Sequence, residues 1–361
     1  MKVLYITNLP APYKIEFFSR LGDKVELTVA YERKQATNRD RKWVNDTARH
    51  SFKEIYLDGL KVGADTSCSL KTIALIRNGK FDRIIMNGFS SPTAMLAIAY
   101  MQFHNIKYGI MCDGMLPGKC NWLKNRLKNF LISGADYYLS SNSITSQVLE
   151  YYGAKKNRIY LYPFSSVTSN EIIEERYEKE VYKEKIGCAG KKIILYIGQF
   201  IHRKGIDILI EAYKKLANRQ NHLILIGGIL PCRLSSELME NVTNIGLKKT
   251  EELEYYYKAA DVFVLPTRED IWGLVVNEAM AKGVPVVTTD RCGAGIAMIE
   301  NGRNGYIVPV ENVDQLASKI ISALEYSEEM RKNVIQTAKK YTIDKMVDET
   351  YCILKKPFSE N

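Results

Sequence analysis

Val262-Phe263-Val264-Leu265-Pro266-Thr267-Arg268-Glu269-Asp270-Ile271-Trp272-Gly273-Leu274-Val275-Val276-Asn277-Glu278-Ala279-Met280-Ala281-Lys282-Gly283-Val284-Pro285-Val286-Val287 is the stretch that decides the fold class. Val262 to Leu265 is a short apolar run of the kind buried on both faces of a sheet. A polar loop follows, then a helical pattern starting near Gly273, a Gly283-x-Pro285 turn, and a second strand-like run from Val284 to Thr288. Strand, loop, helix and strand in this order build a parallel sheet, because a parallel neighbour is reached only through a crossover.

The same grammar extends in both directions. Upstream, Ile193–Ile197 and Leu223–Ile226 read as strands, and downstream so does Gly305–Val308. In the first half, strands are expected at Lys2–Thr7, Val25–Tyr31, Arg83–Asn87, Tyr108–Cys112, Tyr137–Ser140 and Ile159–Phe164. Helical patterns fall near Ile15–Leu21, Thr93–Gln102, Trp122–Leu131 and Thr145–Tyr152. Two α/β units in series are too much for one core at 361 residues, since single cores rarely grow past roughly 250 residues. The reading is a first domain over 1–170, a charge-dense linker over 171–190 and a second domain over 191–340. A C-terminal helix over 341–361 is expected to pack back on the first domain. A cleft between the domains is expected.

Composition narrows the function classes. The chain is 46% hydrophobic and 25% charged, ordinary for a globular protein. No run reaches the ~20 apolar residues a bilayer span needs, and Asn8 with the paired prolines interrupts the apolar opening too early for a secretory signal. A cytosolic protein is expected. Seven scattered cysteines and four histidines without ligand spacing argue against a disulfide framework or a metal site. No metal or cofactor is expected.

Charge is uneven. Residues 1–170 hold 24 Lys+Arg against 13 Asp+Glu, or +11; the remaining 27 against 28 leave that part near neutral. The first half is therefore expected to meet something anionic. No recognition motif or aromatic platform points to nucleic acid. Lys119 to Ile132 places Lys119, Lys124, Arg126 and Lys128 around Trp122, Leu123, Leu127, Phe130 and Leu131, a basic amphipathic helix. Leu123, Leu127 and Phe130 are expected to pack on the first sheet, leaving the cations able to touch an anionic membrane.

Neither half carries G-x-G-x-x-G after its first strand, nor a G-x-x-x-x-G-K, which disfavours dinucleotide and P-loop chemistry. Two loops carry the chemistry instead. In Tyr196-Ile197-Gly198-Gln199-Phe200-Ile201-His202-Arg203-Lys204-Gly205-Ile206-Asp207 two cations precede a helix start, where the helix dipole already disfavours them. A bound diphosphate would relieve that cost and satisfy the free N–H groups. In the second loop Asp270 precedes the helix and Glu278 lies within it, both carboxylates able to accept sugar hydroxyls. Gly273, Leu274 and Val275 offer backbone N–H groups.

Taken together, these segments resemble glycosyltransferase family 4, retaining enzymes of the GT-B fold. The resemblance covers about 191–326. It rests on the Arg203-Lys204-Gly205 loop, Ala260-Asp261-Val262-Phe263-Val264-Leu265-Pro266, the acidic-x7-Glu element with Asn277-Glu278-Ala279-Met280, Gly283-x-Pro285, Glu300-Asn301-Gly302 and Asn304-Gly305. The first half is similar more weakly, through Asn8-Leu9-Pro10-Ala11-Pro12-Tyr13-Lys14.

The resemblance implies an α/β GT-B fold, with two Rossmann-like domains facing each other across a cleft and C-terminal helices. It implies that Arg203 and Lys204 hold the donor diphosphate, Asp270 the sugar and Glu278 the ribose, with Gly198, Trp272, Gly273, Leu274 and Val275 completing the donor site. Gln199 stands where many members have Arg, so the phosphate charge falls to Arg203 and Lys204. Ile245-Gly246-Leu247-Lys248 matches a loop that touches the base through its backbone. Asp113, at a strand end, takes the place of a polar cleft residue, and Asn8, Pro12, Tyr13, Lys14, Asn87 and Gly88 fall on the acceptor side.

The implied reaction moves a sugar from a nucleoside-diphosphate sugar to a hydroxyl of a glycan or a polyprenyl-pyrophosphate-linked acceptor. It keeps the anomeric configuration, needs no metal, and serves bacterial surface polysaccharide synthesis (capsule, exopolysaccharide or lipopolysaccharide) at the inner face of the plasma membrane. A non-hydrolysing nucleotide-sugar epimerase and a non-catalytic scaffold of the same architecture are the alternatives.

Overall fold

The computed structural model describes residues 1–34, 51–62, 66–118, 121–173, 177–216, 220–230 and 240–358; Lys119 of the basic helix lies outside them. The chain divides into two compact units, Met1–Ser165 with Ile343–Asn361, and Ser166–Thr342.

In the first unit the strands are β1 (Lys2–Thr7), β2 (Glu26–Tyr31), β3 (Lys53–Tyr56), β4 (Leu60–Lys61), β5 (Ser67–Cys68), β6 (Arg83–Asn87), β7 (Gly109–Cys112), β8 (Tyr137–Ser140) and β9 (Ile159–Leu161). Between them run α1 (Pro12–Gly22), α2 (Lys71–Asn78), α3 (Pro92–Phe103), α4 (Trp122–Ser133) and α5 (Ser143–Tyr151). The main sheet has the order β3-β2-β1-β6-β7-β8-β9, parallel at every pairing. β4 and β5 form a small antiparallel pair.

Apolar runs such as Val3-Leu4-Tyr5-Ile6 are buried, as expected for strands covered on both faces. Helix starts follow local chemistry. Pro12 opens α1, and the Ser91, Asn121 and Asn142 side chains accept N–H groups at the starts of α3, α4 and α5.

The second unit holds α6 (Lys179–Lys185), β10 (Lys192–Ile197), α7 (Ile206–Leu216), β11 (Asn221–Ile226), β12 (Val242–Gly246), α8 (Thr250–Ala259), β13 (Val262–Leu265), α9 (Leu274–Ala281), β14 (Val286–Thr289), α10 (Gly293–Met298), β15 (Gly305–Val308), α11 (Val313–Glu325) and α12 (Ser327–Ala338). Its sheet runs β12-β11-β10-β13-β14-β15, again all parallel. Both sheets reverse direction of growth once, at β1/β6 and at β10/β13. Such a switch point opens a crevice beyond the strand ends.

The last helix, α13 (Ile343–Lys355), belongs to the first unit. It packs along α1, where Arg20 pairs with Asp344 and Lys24 with Asp348 at 3.1 Å.

Two local expectations need revision. The segment 171–190 read as a solvated linker, yet its described part packs on the second unit. Ile173 N–H donates to the Ala281 carbonyl at 2.9 Å, and Lys179 and Lys183 meet buried Asp261 at 3.1 and 2.9 Å. Two of its lysines thus meet a buried countercharge, while Glu178, Glu180, Glu184 and Lys185 are exposed. In α4 the face packed inward is formed by Leu131 and Ile132, whereas Leu123, Leu127 and Phe130 are exposed. At 3.6 residues per turn those three lie on the neighbouring outward arc.

Asp261 anchors the start of β10, accepting the Ile193 N–H at 2.7 Å. Burial raises its pKa, but Lys179 and Lys183 outweigh burial and hold it below the ordinary value. Its contribution is therefore present above the unfolded-state pKa and lost as the pH falls through the lowered folded value. Removing the carboxylate leaves buried Lys183 without its counter-ion and Lys179 with Glu328 alone, at 3.0 Å. Asp261→Ala is expected to cost about 3 kcal/mol and lower the thermal midpoint by roughly 6–12 °C; an unchanged midpoint in calorimetry would contradict this role.

Candidate functional site

The candidate site of the second unit is made where the loops after β10 and β13 meet at the switch point. After β10 the chain forms a short 3-10 turn, His202–Lys204, and reaches α7 through Gly205 at φ +70°. A Cβ on Gly205 would lie 1.9 Å from the Pro266 carbonyl oxygen. Only glycine permits this close approach in this backbone conformation.

The two loops are then joined through the Arg203 carbonyl, which accepts the Arg268 N–H at 2.8 Å and the Thr267 hydroxyl at 2.9 Å. Arg268 adds a guanidinium bond to the His202 carbonyl at 2.8 Å and a bidentate pair with Asp207 at 2.8 and 2.7 Å. The Asp207 pKa is lowered chiefly by that hydrogen bonding.

This joining places charge against charge. The Lys204 ammonium donates to Asp270 Oδ2, and Arg203 lies 3.7 Å from Asp270 Oδ1 while donating to the Glu269 carbonyl at 2.6 Å. Asp270 is buried, Lys204 nearly so, and Arg203 about half exposed. The Asp270 backbone is fixed by its N–H to the Arg291 carbonyl at 2.9 Å and by the Gly293 N–H at 3.0 Å.

Gly273, at φ +97°, precedes α9, and a Cβ there would stand 3.5 Å from Asp270 Oδ2 and 2.9 Å from Cys292 Sγ. The structure thus brings Arg203, Lys204, Asp270 and Gly273 together. Gly273, Leu274 and Val275 open α9, where the first-turn N–H groups have no acceptor within the helix. Gly198 lies beside Gly227, whose Cβ would meet the Gly198 carbonyl oxygen at 2.1 Å.

Trp272 is placed differently from the expectation. Its indole is buried and donates to Asn277 Oδ1 at 2.7 Å, so the side chain belongs to the core. Glu278 is half-buried on α9, and its Oε2 accepts the Tyr257 hydroxyl at 2.8 Å. Burial raises the Glu278 pKa, against the lowering effect of the Tyr257 hydrogen bond. Sequence reasoning missed Tyr257; its signal was a tyrosine run, Tyr255-Tyr256-Tyr257, in a helix that ends just before β13. Leu247 and Lys248 follow the end of β12, where the Gly246 carbonyl accepts the Gly227 N–H at 2.7 Å.

The first unit carries a polar cluster at its own switch point. Buried Lys14 on α1 donates to Thr7 Oγ1 at 2.9 Å, Asn8 Oδ1 at 3.2 Å and Asn87 Oδ1 at 2.6 Å. Asp113 lies 3.9 Å from Lys14 and accepts from Asn87 Nδ2 at 3.0 Å and from the Tyr162 hydroxyl at 2.9 Å. Burial, then the Asp113 carboxylate, push the Tyr162 pKa well up, so Tyr162 stays a donor. Asn8, Lys14, Asn87 and Asp113 are thus one network, and Tyr162 is a member the sequence did not single out. Pro12 is exposed, Tyr13 packs edge-on against Phe164, and Gly88, at φ +96°, has open space where a side chain would be. Among the described residues no group of His, Cys, Asp or Glu is arranged to hold a metal ion, and no helix is long and apolar enough to cross a membrane.

Residues 178–341 match the family model described as glycosyl transferases group 1. The match lies within the second unit and covers less than half of the chain. An uncharacterized glycosyltransferase of Methanocaldococcus jannaschii is 30% identical over 190 residues, 49% of this chain and 48% of that protein. A capsular polysaccharide biosynthesis glycosyltransferase of Staphylococcus aureus is 28% identical over 223 residues, 58% of this chain and 57% of that one. The chain thus spans about half the length of these relatives. An Anabaena protein solved with UDP superimposes with a TM-score of 0.73 at 15% identity, covering 97% of this chain and 98% of its own. The fold is that of the GT-B glycosyltransferases, α/β with two Rossmann-like units.

Because burial raises the Glu278 pKa, its favourable contribution to stability is complete below the ordinary value of 4.5 and is lost as the pH rises through the raised folded value. Glu278→Gln keeps an acceptor for Tyr257 and removes the charge. It is expected to melt at or above the wild-type temperature at neutral pH, with the difference closing towards acid. A variant melting several degrees lower at neutral pH would contradict this.

Proposed function

We propose that this protein is a retaining family 4 glycosyltransferase that moves a sugar from a nucleoside-diphosphate sugar to a hydroxyl of a glycan or polyprenyl-pyrophosphate-linked acceptor. The setting proposed is bacterial surface polysaccharide synthesis. The observation that carries the reading is the convergence of Arg203, Lys204, Asp270 and the Gly273 helix start at one switch point. Similarity to a capsular polysaccharide glycosyltransferase supports the setting, and a fold shared with a protein solved with UDP supports the donor class.

The chemistry follows from the charges. The bond broken joins the anomeric carbon to a diphosphate oxygen, and negative charge grows on that oxygen as the sugar becomes cationic. Arg203, Lys204 and the first-turn N–H groups of α9 stabilise that charge, a contribution that preorganised donors make without reorganising. With a diphosphate bound, Lys204 exchanges Asp270 for phosphate, and Asp270 turns to sugar hydroxyls. Glu278, steadied by Tyr257, accepts ribose hydroxyls. The acceptor oxygen bonds to the anomeric carbon on the face the diphosphate leaves, and its proton passes to the departing phosphate oxygen. Configuration is kept, and no metal takes part. The Lys14–Asn87–Asp113 network of the first unit orients the acceptor.

Lys204→Ala is expected to reduce turnover at least 100-fold, corresponding to about 3 kcal/mol of lost electrostatic stabilisation, with near-normal rates contradicting the role. Glu278→Ala is expected to weaken binding of the nucleotide alone, read by calorimetry. The donor is found by following slow hydrolysis across a panel of nucleotide sugars. An epimer formed from donor without acceptor would replace glycosyl transfer by epimerisation.

A further inference from the structure

We propose that the first unit docks on an anionic lipid surface through the outer face of α4. Trp122, Leu123, Leu127 and Phe130 are exposed at 64, 61, 44 and 47%, large values for side chains of this size on a helix whose inward face is already filled by Leu131 and Ile132. At about 100° per residue the four fall on one arc of roughly 140°, with Arg126 inside it. The stripe continues onto α3, because the Gln102 amide donates to the Phe130 carbonyl at 2.8 Å and the next residue, Phe103, is 91% exposed.

Charge says what covers this face. Lys124 and Arg126 are exposed on the same helix, and the Arg126 guanidinium lies 5.8 Å from the Trp122 ring centroid. Lys155 and Lys156 are exposed just beyond α5, whose C-terminal end meets α4 through Tyr152 and Asn125 at 3.1 Å. No Asp or Glu occurs between Asp113 and Asp136. Protein interfaces are depleted in lysine. A face that combines bulky apolar side chains, a Trp beside a cation and a helix without a single acidic residue fits acidic headgroups above acyl chains.

The proposal is tested with the full chain by co-sedimentation on vesicles of phosphatidylglycerol with phosphatidylcholine, and on phosphatidylcholine alone, at about 0.1 M salt. The wild type is expected to partition onto the anionic vesicles, at least about tenfold more than onto neutral ones. The variants K124E/R126E and L123S/L127S/F130S are expected to keep the wild-type melting temperature and each to lose at least about tenfold in partitioning. Failure of the wild type to bind, equal binding to both vesicles, or variants that bind like the wild type would overturn the proposal. So would a concentration-dependent dimer abolished by the same substitutions, which would assign the face to a second copy. The readout does not depend on glycosyl transfer, so its outcome is separate from that of the proposed activity.

Discussion

The Arg203 carbonyl, held by Arg268 N–H and Thr267 Oγ1, is the contact on which the second unit's candidate site depends. It ties the loop after one strand to the loop after its neighbour, and Gly205 supplies the space that lets the backbones approach. Everything chemically interesting follows from that joint. Without it the two cations would belong to one surface loop and Asp270 to another, and an exposed Arg-Lys pair is worth little. With it they share a crevice with a helix start, in surroundings where charge is poorly screened.

Holding two cations beside a helix N-terminus costs stability unless something negative intervenes. In the structure that role falls to Asp270. A carboxylate that neutralises the cations, and that on the proposed reading yields them to a diphosphate, keeps the site folded while leaving it responsive. The first unit solves a similar problem at its own switch point. There Lys14 is buried among amide and hydroxyl oxygens, with the Asp113 carboxylate 3.9 Å away. Both sites follow from one topology, in which strand ends at a reversal of sheet order leave backbone and side chains facing a crevice.

Much of this was legible in the sequence. Lys2–Thr7, Arg83–Asn87, Tyr137–Ser140, Val262–Leu265 and Gly305–Val308 are strands with the boundaries read from their apolar runs. Burial on both faces leaves such runs continuous. Lys53–Tyr56 and Val242–Gly246 were not read as strands; both lie at sheet edges, are only partly buried and carry polar residues. Long-range pairing also hid information. Nothing local says that Lys179 and Lys183 answer Asp261, that Tyr257 answers Glu278, or that Tyr162 answers Asp113. The family resemblance implied a donor-site role for Trp272, but its indole satisfies Asn277 instead. The outward turn of Leu123, Leu127 and Phe130 was hidden for a related reason: periodicity finds an apolar stripe without saying which stripe meets the sheet.

The central claim is that the charges gathered at Arg203, Lys204 and Gly273 recognise a diphosphate. Calorimetric titration of the wild-type protein with a nucleoside diphosphate, the corresponding monophosphate and the bare nucleoside isolates that contribution, with the base chosen as the tightest binder among several. The account predicts a steep order, with the diphosphate favoured over the nucleoside by at least about 100-fold, as charge-assisted bonds to phosphate require. Equal affinity for diphosphate and nucleoside would contradict it.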